Sequence, residues 1–211
     1  MSTPDFVPVI GLIGGVGSGK SAVARWIGDH KNVVIIDGDS IGHQVLEIPK
    51  TKEDIRRRFS ESVFNEQGCV DRNVLGRLVF GSAAEHRQAQ TNLEQIVHPK
   101  IRKEIINQIQ DARSSGNYEA IILDAAVLLE AGWNDLCNAV VFVEASEECR
   151  LKRVAQSRGW NEKTLKTREA SQLSLDEKRK ASDQVIYNTG TLQESGAQFE
   201  NILEQIINQQ I

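Results

Sequence analysis

Five short, mainly apolar runs rich in β-branched residues punctuate the chain, and between them apolar positions fall at helical spacing. The runs are VIGLI (Val9 to Ile13), VVIID (Val33 to Asp37), AIILD (Ala120 to Asp124), AVVFVEA (Ala139 to Ala145) and QVIYN (Gln184 to Asn188). Runs that are apolar throughout, rather than alternating, mark strands covered on both faces. Strands separated by helices predict crossover connections and a parallel sheet. The expected fold class is α/β, a five-stranded parallel sheet.

Between Ser40 and Tyr118 no strand is expected. In NLEQIVHPKIRKEIINQIQDARSSG, the residues Leu93, Ile96, Val97, Ile101, Ile105 and Ile109 keep a helical period until Gly116. So long a segment between two strands of one sheet exceeds a simple crossover. It reads as a helical insertion over the strand ends, where open α/β sheets bind ligands. A second insertion, about 150–182, is rich in Arg and Lys and reads as a mobile helical lid. Thr191 to Ile211, with Phe199, Ile202, Leu203, Ile206 and Ile207, reads as an amphipathic closing helix. The whole is expected to be a single domain over 1–211, with a core of about 8–39, 119–149 and 183–211 and the first insertion at about 40–118.

Composition narrows the function classes. With 40% hydrophobic and 26% charged residues, the 211-residue chain has an ordinary globular make-up. A net charge of -4 argues against a nucleic-acid binder. The basic clusters Arg56-Arg57-Arg58, Arg150-Lys152-Arg153 and Lys178-Arg179-Lys180 read as solvated helix faces, with an anionic small molecule as the alternative ligand. Three cysteines, Cys69, Cys137 and Cys149, lack metal or redox spacing and read as reduced thiols. MSTPDFVP lacks the features of a signal peptide, and no apolar run reaches the ~20 residues of a membrane span. The expected location is the cytoplasm, without a membrane partner.

The chemistry begins at GLIGGVGSGKSAVARWI. Gly14 to Ser21 satisfies G-x-x-x-x-G-K-[ST], after a strand and before a helix. Glycines let consecutive backbone N–H groups curl around phosphate oxygens, and the helix N-terminus adds partial positive charge. Lys20 can reach the β- and γ-phosphates, and the Ser21 hydroxyl can hold Mg²⁺. A bare Gly-rich turn is the bland alternative, but a chance match is roughly one in a hundred or less. The chain is expected to bind a nucleoside triphosphate. It lacks the N-K-x-D motif of GTPases, and AIILDAAVLLE supplies Asp124 without the adjacent glutamate of ATPase motors. A kinase that encloses two substrates and excludes water fits better.

In IIDGDSIGH, Asp37 and Asp39 flank Gly38 at a strand end. An acidic residue there can take the proton of an attacking hydroxyl or organise Mg²⁺. Asp39 can equally cap the following helix. Strand alternation turns Asp37 to the other face.

Taken in order, GLIGGVGSGKSAVA, VVIIDGDSIGHQVL, LEQIVHPKI, DAAVLLEAGW and KRVAQSRGW…Q…K…SDQVIYNTG resemble the dephospho-coenzyme A kinase family from about Val9 to Gly190. The resemblance implies the phosphate-loop kinase type of sheet, with a helical substrate-binding insertion and a lid. It also implies ATP-dependent transfer to the ribose 3′-hydroxyl of dephospho-CoA. By position it makes Asp39 the catalytic aspartate, Lys20 the loop lysine and Ser21 the Mg²⁺ ligand. Arg153 joins the catalytic set. Gly15, Val16, Gly17, Ser18, Gly19, Lys20, Ser21, Ala22, Arg158 and Asn188 are implied to hold the nucleotide, and Asp39, His43, His98 and Asp124 the substrate. Arg168 and Gln172 fall at lid positions. Three departures stand out: Ala22 replaces a usual threonine, Ala126 a usual proline, and Ser157–Arg158 shifts a lid arginine by one place. Another phosphate-loop small-molecule or nucleotide kinase is the alternative.

Overall fold

A computed structural model describes residues 7–81 and 83–208. The first six residues of MSTPDFVP and the last three of the expected closing helix lie outside them. In chain order the elements are β1 (Val9–Gly14), α1 (Lys20–His30), β2 (Val33–Asp37), α2 (Gly38–Glu47), α3 (Pro49–Phe59), α4 (Arg72–Val79) and α5 (Ala84–Ser115). Then come β3 (Ala120–Asp124), β4 (Ala139–Glu144), α6 (Glu147–Arg158), α7 (Glu162–Glu169), α8 (Leu175–Lys180), β5 (Gln184–Tyr187) and α9 (Leu192–Asn208). All five strands stand where the apolar runs placed them.

They form one sheet in the order β2-β3-β1-β4-β5, every neighbouring pair parallel. Burial follows position. β1 and β3 are buried at every residue and β4 at all but its last, whereas the edge strands β2 and β5 are covered only in part. One face of the sheet, with Ile10, Leu12, Ile122, Val141 and Val143, packs on Val23, Ala24 and Ile27 of α1 and Phe199, Ile202 and Leu203 of α9. Full burial of a side chain such as Phe199 is worth ~1.5–3 kcal/mol. The apolar stripe of the closing helix is therefore what ties the C-terminal segment to the sheet.

The chain divides into two compact units, one made of the chain up to Gly38 and from Ile106 onward, the other of Asp39–Ile105. The first holds the sheet and also α6 to α8, the segment expected as a lid. Ser146 caps α6 by accepting from the Cys149 N–H, and α8 starts in a capping box between Ser174 and Glu177. The second unit is helical, as expected. It has its own core of Ile55, Val63, Val70, Leu75 and Val79, against which Leu46, Phe59, Phe64, Leu93 and Ile96 pack. An isolated bridge between Phe64 and Val70 is its strand-like pairing among the described residues. The HPKI segment lies inside α5, a 32-residue helix that carries Pro99 in its interior.

Among the described residues, no helix is long and apolar enough to cross a membrane.

Candidate active site

β1 ends at Gly14 in the middle of the sheet, with β3 and β4 on either side. Leu12 lies in register with Asp124, and Gly14 with Val143. β2 and β3 lie on one side of β1 and β4 and β5 on the other, so its C-terminal end is the switch point where open α/β sheets leave a crevice for ligands. The glycine-rich loop starts there. A Cβ on Gly14 would stand 2.6 Å from the Val143 carbonyl oxygen, so the strand can turn away only with no side chain. The Ser18 N–H donates to Gly15 O at 3.0 Å, closing a turn within the loop.

Gly19 ends the loop with φ 92° and caps α1 with no side-chain hydrogen bond. That left-handed backbone is one glycine adopts without steric cost. The Ala22 and Val23 amides bond back to Gly19 O, each at 3.0 Å, and the start of the helix is left without the side-chain acceptor that usually caps it. A helix N-terminus built in this way fits an anion. Lys20 and Ser21 are its first two residues, Lys20 half-buried and Ser21 exposed.

Beneath the loop lies a polar network anchored on the Ser18 carbonyl. That oxygen accepts from Arg153 Nη1 at 2.9 Å and from Asn188 Nδ2 at 2.7 Å. Arg153 Nη2 also donates to the backbone oxygen of Asn188 at 3.0 Å and to its Oδ1 at 3.3 Å. Ser195 Oγ, on α9, lies 2.9 Å from the same Oδ1. Arg153 and Asn188, far apart in sequence, thus meet on one loop carbonyl.

Two charges expected on solvated faces are buried instead. Arg150 is 4% exposed, pairs with Glu169 and donates from Nε to Ala145 O at 3.3 Å. Burial pushes its guanidinium down from the usual arginine range. It lines a cavity of about 160 Å³ beside Gly15, together with Glu144, Leu175, Asp176 and Arg179. Lys178, 1% exposed, pairs with Glu130 at 3.0 Å and donates to Gln172 Oε1 at 2.8 Å and Ala126 O at 3.3 Å. The basic-cluster reading fails at both because each has an acidic partner from a distant segment, Glu169 on α7 and Glu130 in the turn after β3, which run composition cannot reveal.

The remaining candidates are spread more widely. Asp124, 6% exposed, ends β3 in register with Asp37. Gly38 packs so closely after β2 that a Cβ there would meet the Ala125 Cβ at 2.8 Å. Asp39 follows as the second residue of α2, exposed, with exposed His43 one helical turn further on. His98 sits half-buried on α5, and burial lowers its imidazole below the usual histidine value. Asp39, His43 and His98 belong to the second unit.

Arg158 is exposed and stands 4.8 Å from the centre of the Trp160 ring, with Arg168 at 5.4 Å from the same ring. Its guanidinium is therefore directed at an indole, with the second arginine alongside. All three cysteines are free, and burial pushes the Cys137 thiol up to about 12.

Ser195, Arg150, Lys178 and Glu130 were not singled out as site residues by the sequence. For Ser195 a signal existed: it stands four residues before Phe199, on the stripe that α9 buries.

A parallel sheet in this order, carrying a G-x-x-x-x-G-K-S loop from its central strand into a helix, defines the phosphate-loop kinase fold. The model of the dephospho-CoA kinase family matches residues 8–194, and the chain belongs to that family. It is 37% identical over 194 residues to the dephospho-CoA kinase of Symbiobacterium thermophilum, an alignment covering 91% of this chain and 78% of the relative. To that of Bacillus licheniformis it is 36% identical over 198 residues, covering 93% and 95%. A crystal structure of a Thermus thermophilus protein superposes with a TM-score of 0.78 at 29% identity, covering 94% of this chain and 97% of that one.

Proposed function

We infer that this chain transfers the terminal phosphoryl group of ATP to the 3′-hydroxyl of dephospho-CoA, yielding coenzyme A and ADP. The observation that carries the reading is family membership over residues 8–194, together with a phosphate loop of the matching form.

In the proposed reaction the acceptor oxygen bonds to the γ-phosphorus as the bond from that phosphorus to the β,γ-bridging oxygen breaks. Asp39 accepts the hydroxyl proton, and Lys20 offsets charge on the transferred group. The turn of Gly15, Val16, Gly17, Ser18 and Gly19, with the first turn of α1 at Lys20, Ser21 and Ala22, cradles the phosphates. Support comes from the Gly19 cap and the absence of a side-chain acceptor at the helix start.

The Ser21 hydroxyl would hold Mg²⁺, which when bound would supply neutralisation of phosphate charge. That hydroxyl is a hard oxygen donor on the exposed first turn, which suits the ion. Arg153 adds charge against the loop, and Arg158 acts from the end of α6. Asn188 belongs to the nucleotide side, and Asp124, His43 and His98 to the acceptor side. The three-part division into core, helical substrate region and lid is proposed with them, as is a cytoplasmic location.

A panel of acceptors tests the reading. With ATP and Mg²⁺, ADP release should depend on dephospho-CoA and stay at background with nucleosides, nucleoside monophosphates, shikimate or gluconate. Release driven by one of those acceptors instead would replace this assignment with another small-molecule kinase.

A further inference from the structure

We propose that Ser195, Asn188 and Arg153 form a positioning relay that fixes the orientation of the Ser18–Gly19 peptide, and through it the phosphate cradle. The proposal rests on the phosphate-binding reading above and assigns Ser195 a role outside simple packing.

The geometry leaves little freedom. The Ser18 carbonyl accepts two donors, Asn188 Nδ2 at 2.7 Å and Arg153 Nη1 at 2.9 Å, which suffices for its two lone pairs. A planar trans peptide points its N–H opposite to its C=O. Holding the carbonyl down on Arg153 and Asn188 therefore turns the Gly19 N–H away from them, toward the open side of the loop. One of the two donors is a guanidinium, and a charge-assisted bond to the carbonyl polarises the peptide, which makes that N–H a better partner for an anion.

The Asn188 amide is itself oriented without ambiguity. Ser18 O can only accept and Arg153 can only donate, so Nδ2 faces the first and Oδ1 the second. Ser195 Oγ, fully buried, adds the second contact to Oδ1 at 2.9 Å. Its other near acceptors are Thr191 O at 3.1 Å and Tyr187 O at 3.4 Å, both more distant. The hydroxyl, carried on α9, thus favours one setting of the amide.

The approach also explains the loop's last glycine. A Cβ on Gly19 would lie 2.3 Å from Asn188 Nδ2, so the close contact and the side chain exclude each other. The relay and the sequence motif depend on one another at that atom.

Asn188 as a direct reader of the base is the competing role, and a probe without a base separates the two. Wild type, Ser195→Ala and Asn188→Asp would be titrated with ATP, GTP and inorganic tripolyphosphate by calorimetry, with thermal melting run alongside. Asn188→Asp keeps the shape but turns a donor to Ser18 O into an acceptor. It should weaken all three probes by one common factor of about tenfold or more, and Ser195→Ala by about three- to tenfold.

Tripolyphosphate affinity unchanged in both variants, with or without a loss for ATP, would overturn the relay. If Asn188→Asp does not fold, Ser195→Ala alone carries the test, because it removes only a buried hydroxyl. A wild-type protein that binds no tripolyphosphate would overturn the phosphate-loop reading itself and the relay with it. Binding by the wild type that survives in both variants leaves the kinase assignment intact and removes only the relay.

Discussion

Lys178 offers the sharpest test of the architecture around the expected lid. Its side chain is 1% exposed, and its ammonium is matched by the Glu130 carboxylate at 3.0 Å, the Gln172 amide oxygen at 2.8 Å and the Ala126 carbonyl at 3.3 Å. Lys178→Met keeps the length of the apolar stem and removes the charge. What remains is a carboxylate whose side chain is 17% exposed and whose main cation is gone. Breaking a buried pair from one side costs ~3–5 kcal/mol, and the partial exposure of Glu130 places this case near ~3. For a chain of this size that corresponds to a fall of about 6–12 °C in melting temperature.

Urea denaturation read by tryptophan fluorescence is the assay. Trp26, Trp133 and Trp160 all lie in the first unit, so the signal reports the unit that contains the pair. Adding Glu130→Gln removes the stranded charge while retaining an acceptor for the Leu173 N–H, which Glu130 Oε1 accepts at 2.9 Å. The double variant should therefore recover much of the loss, giving a coupling of at least ~1 kcal/mol. A single variant within ~0.5 kcal/mol of wild type, or two losses that simply add, would refute the buried-pair account.

Lys20→Ala should leave the fold intact and cost ~3 kcal/mol or more of transition-state stabilisation, read as the fall in kcat/KM. Near-normal turnover would remove Lys20 from the mechanism. If residues 150–182 close over bound substrates, their amide hydrogen exchange should slow with ATP plus acceptor, and exchange that does not change counts against a lid. Arg153→Ala should lower turnover far more than Arg158→Ala, because Arg153 holds Ser18 O at 2.9 Å whereas Arg158 is exposed beside Trp160; equal small effects would make both surface charges. Burial lowers the His98 pKa in the folded state, so the unfolded chain binds the proton more readily. The stability this contributes is complete above the usual histidine pKa and is lost as pH falls through the depressed folded value. His98→Gln should flatten that acid-side slope, and an unaltered slope in urea titrations would assign it to other groups.

Strand positions were legible because the central strands are covered on both faces, which leaves no polar alternation along VIGLI or along AIIL, Ala120 to Leu123. The phosphate loop was legible because its backbone path demands glycine, as the 2.6 Å approach at Gly14 illustrates. The network under the loop was not. Ser18, Arg153, Asn188 and Ser195 converge from four separate segments, and each alone is an ordinary polar residue. The burial of Arg150 and Lys178 escapes the sequence for a related reason: Glu169, on α7, and Glu130, in the turn after β3, which allow it, are distant in the chain. Sequence period reports what an element does by itself. It carries no record of which distant side chain arrives opposite.

The most direct measurement is to locate the transferred phosphate. Wild-type protein would be incubated with ATP, Mg²⁺ and dephospho-CoA, and the product followed by phosphorus NMR and mass spectrometry. The account predicts one new phosphomonoester on the ribose 3′-oxygen, with one ADP formed per product and strongly reduced formation by Asp39→Asn. ADP release without that phosphomonoester, or phosphate appearing at another hydroxyl, would contradict it.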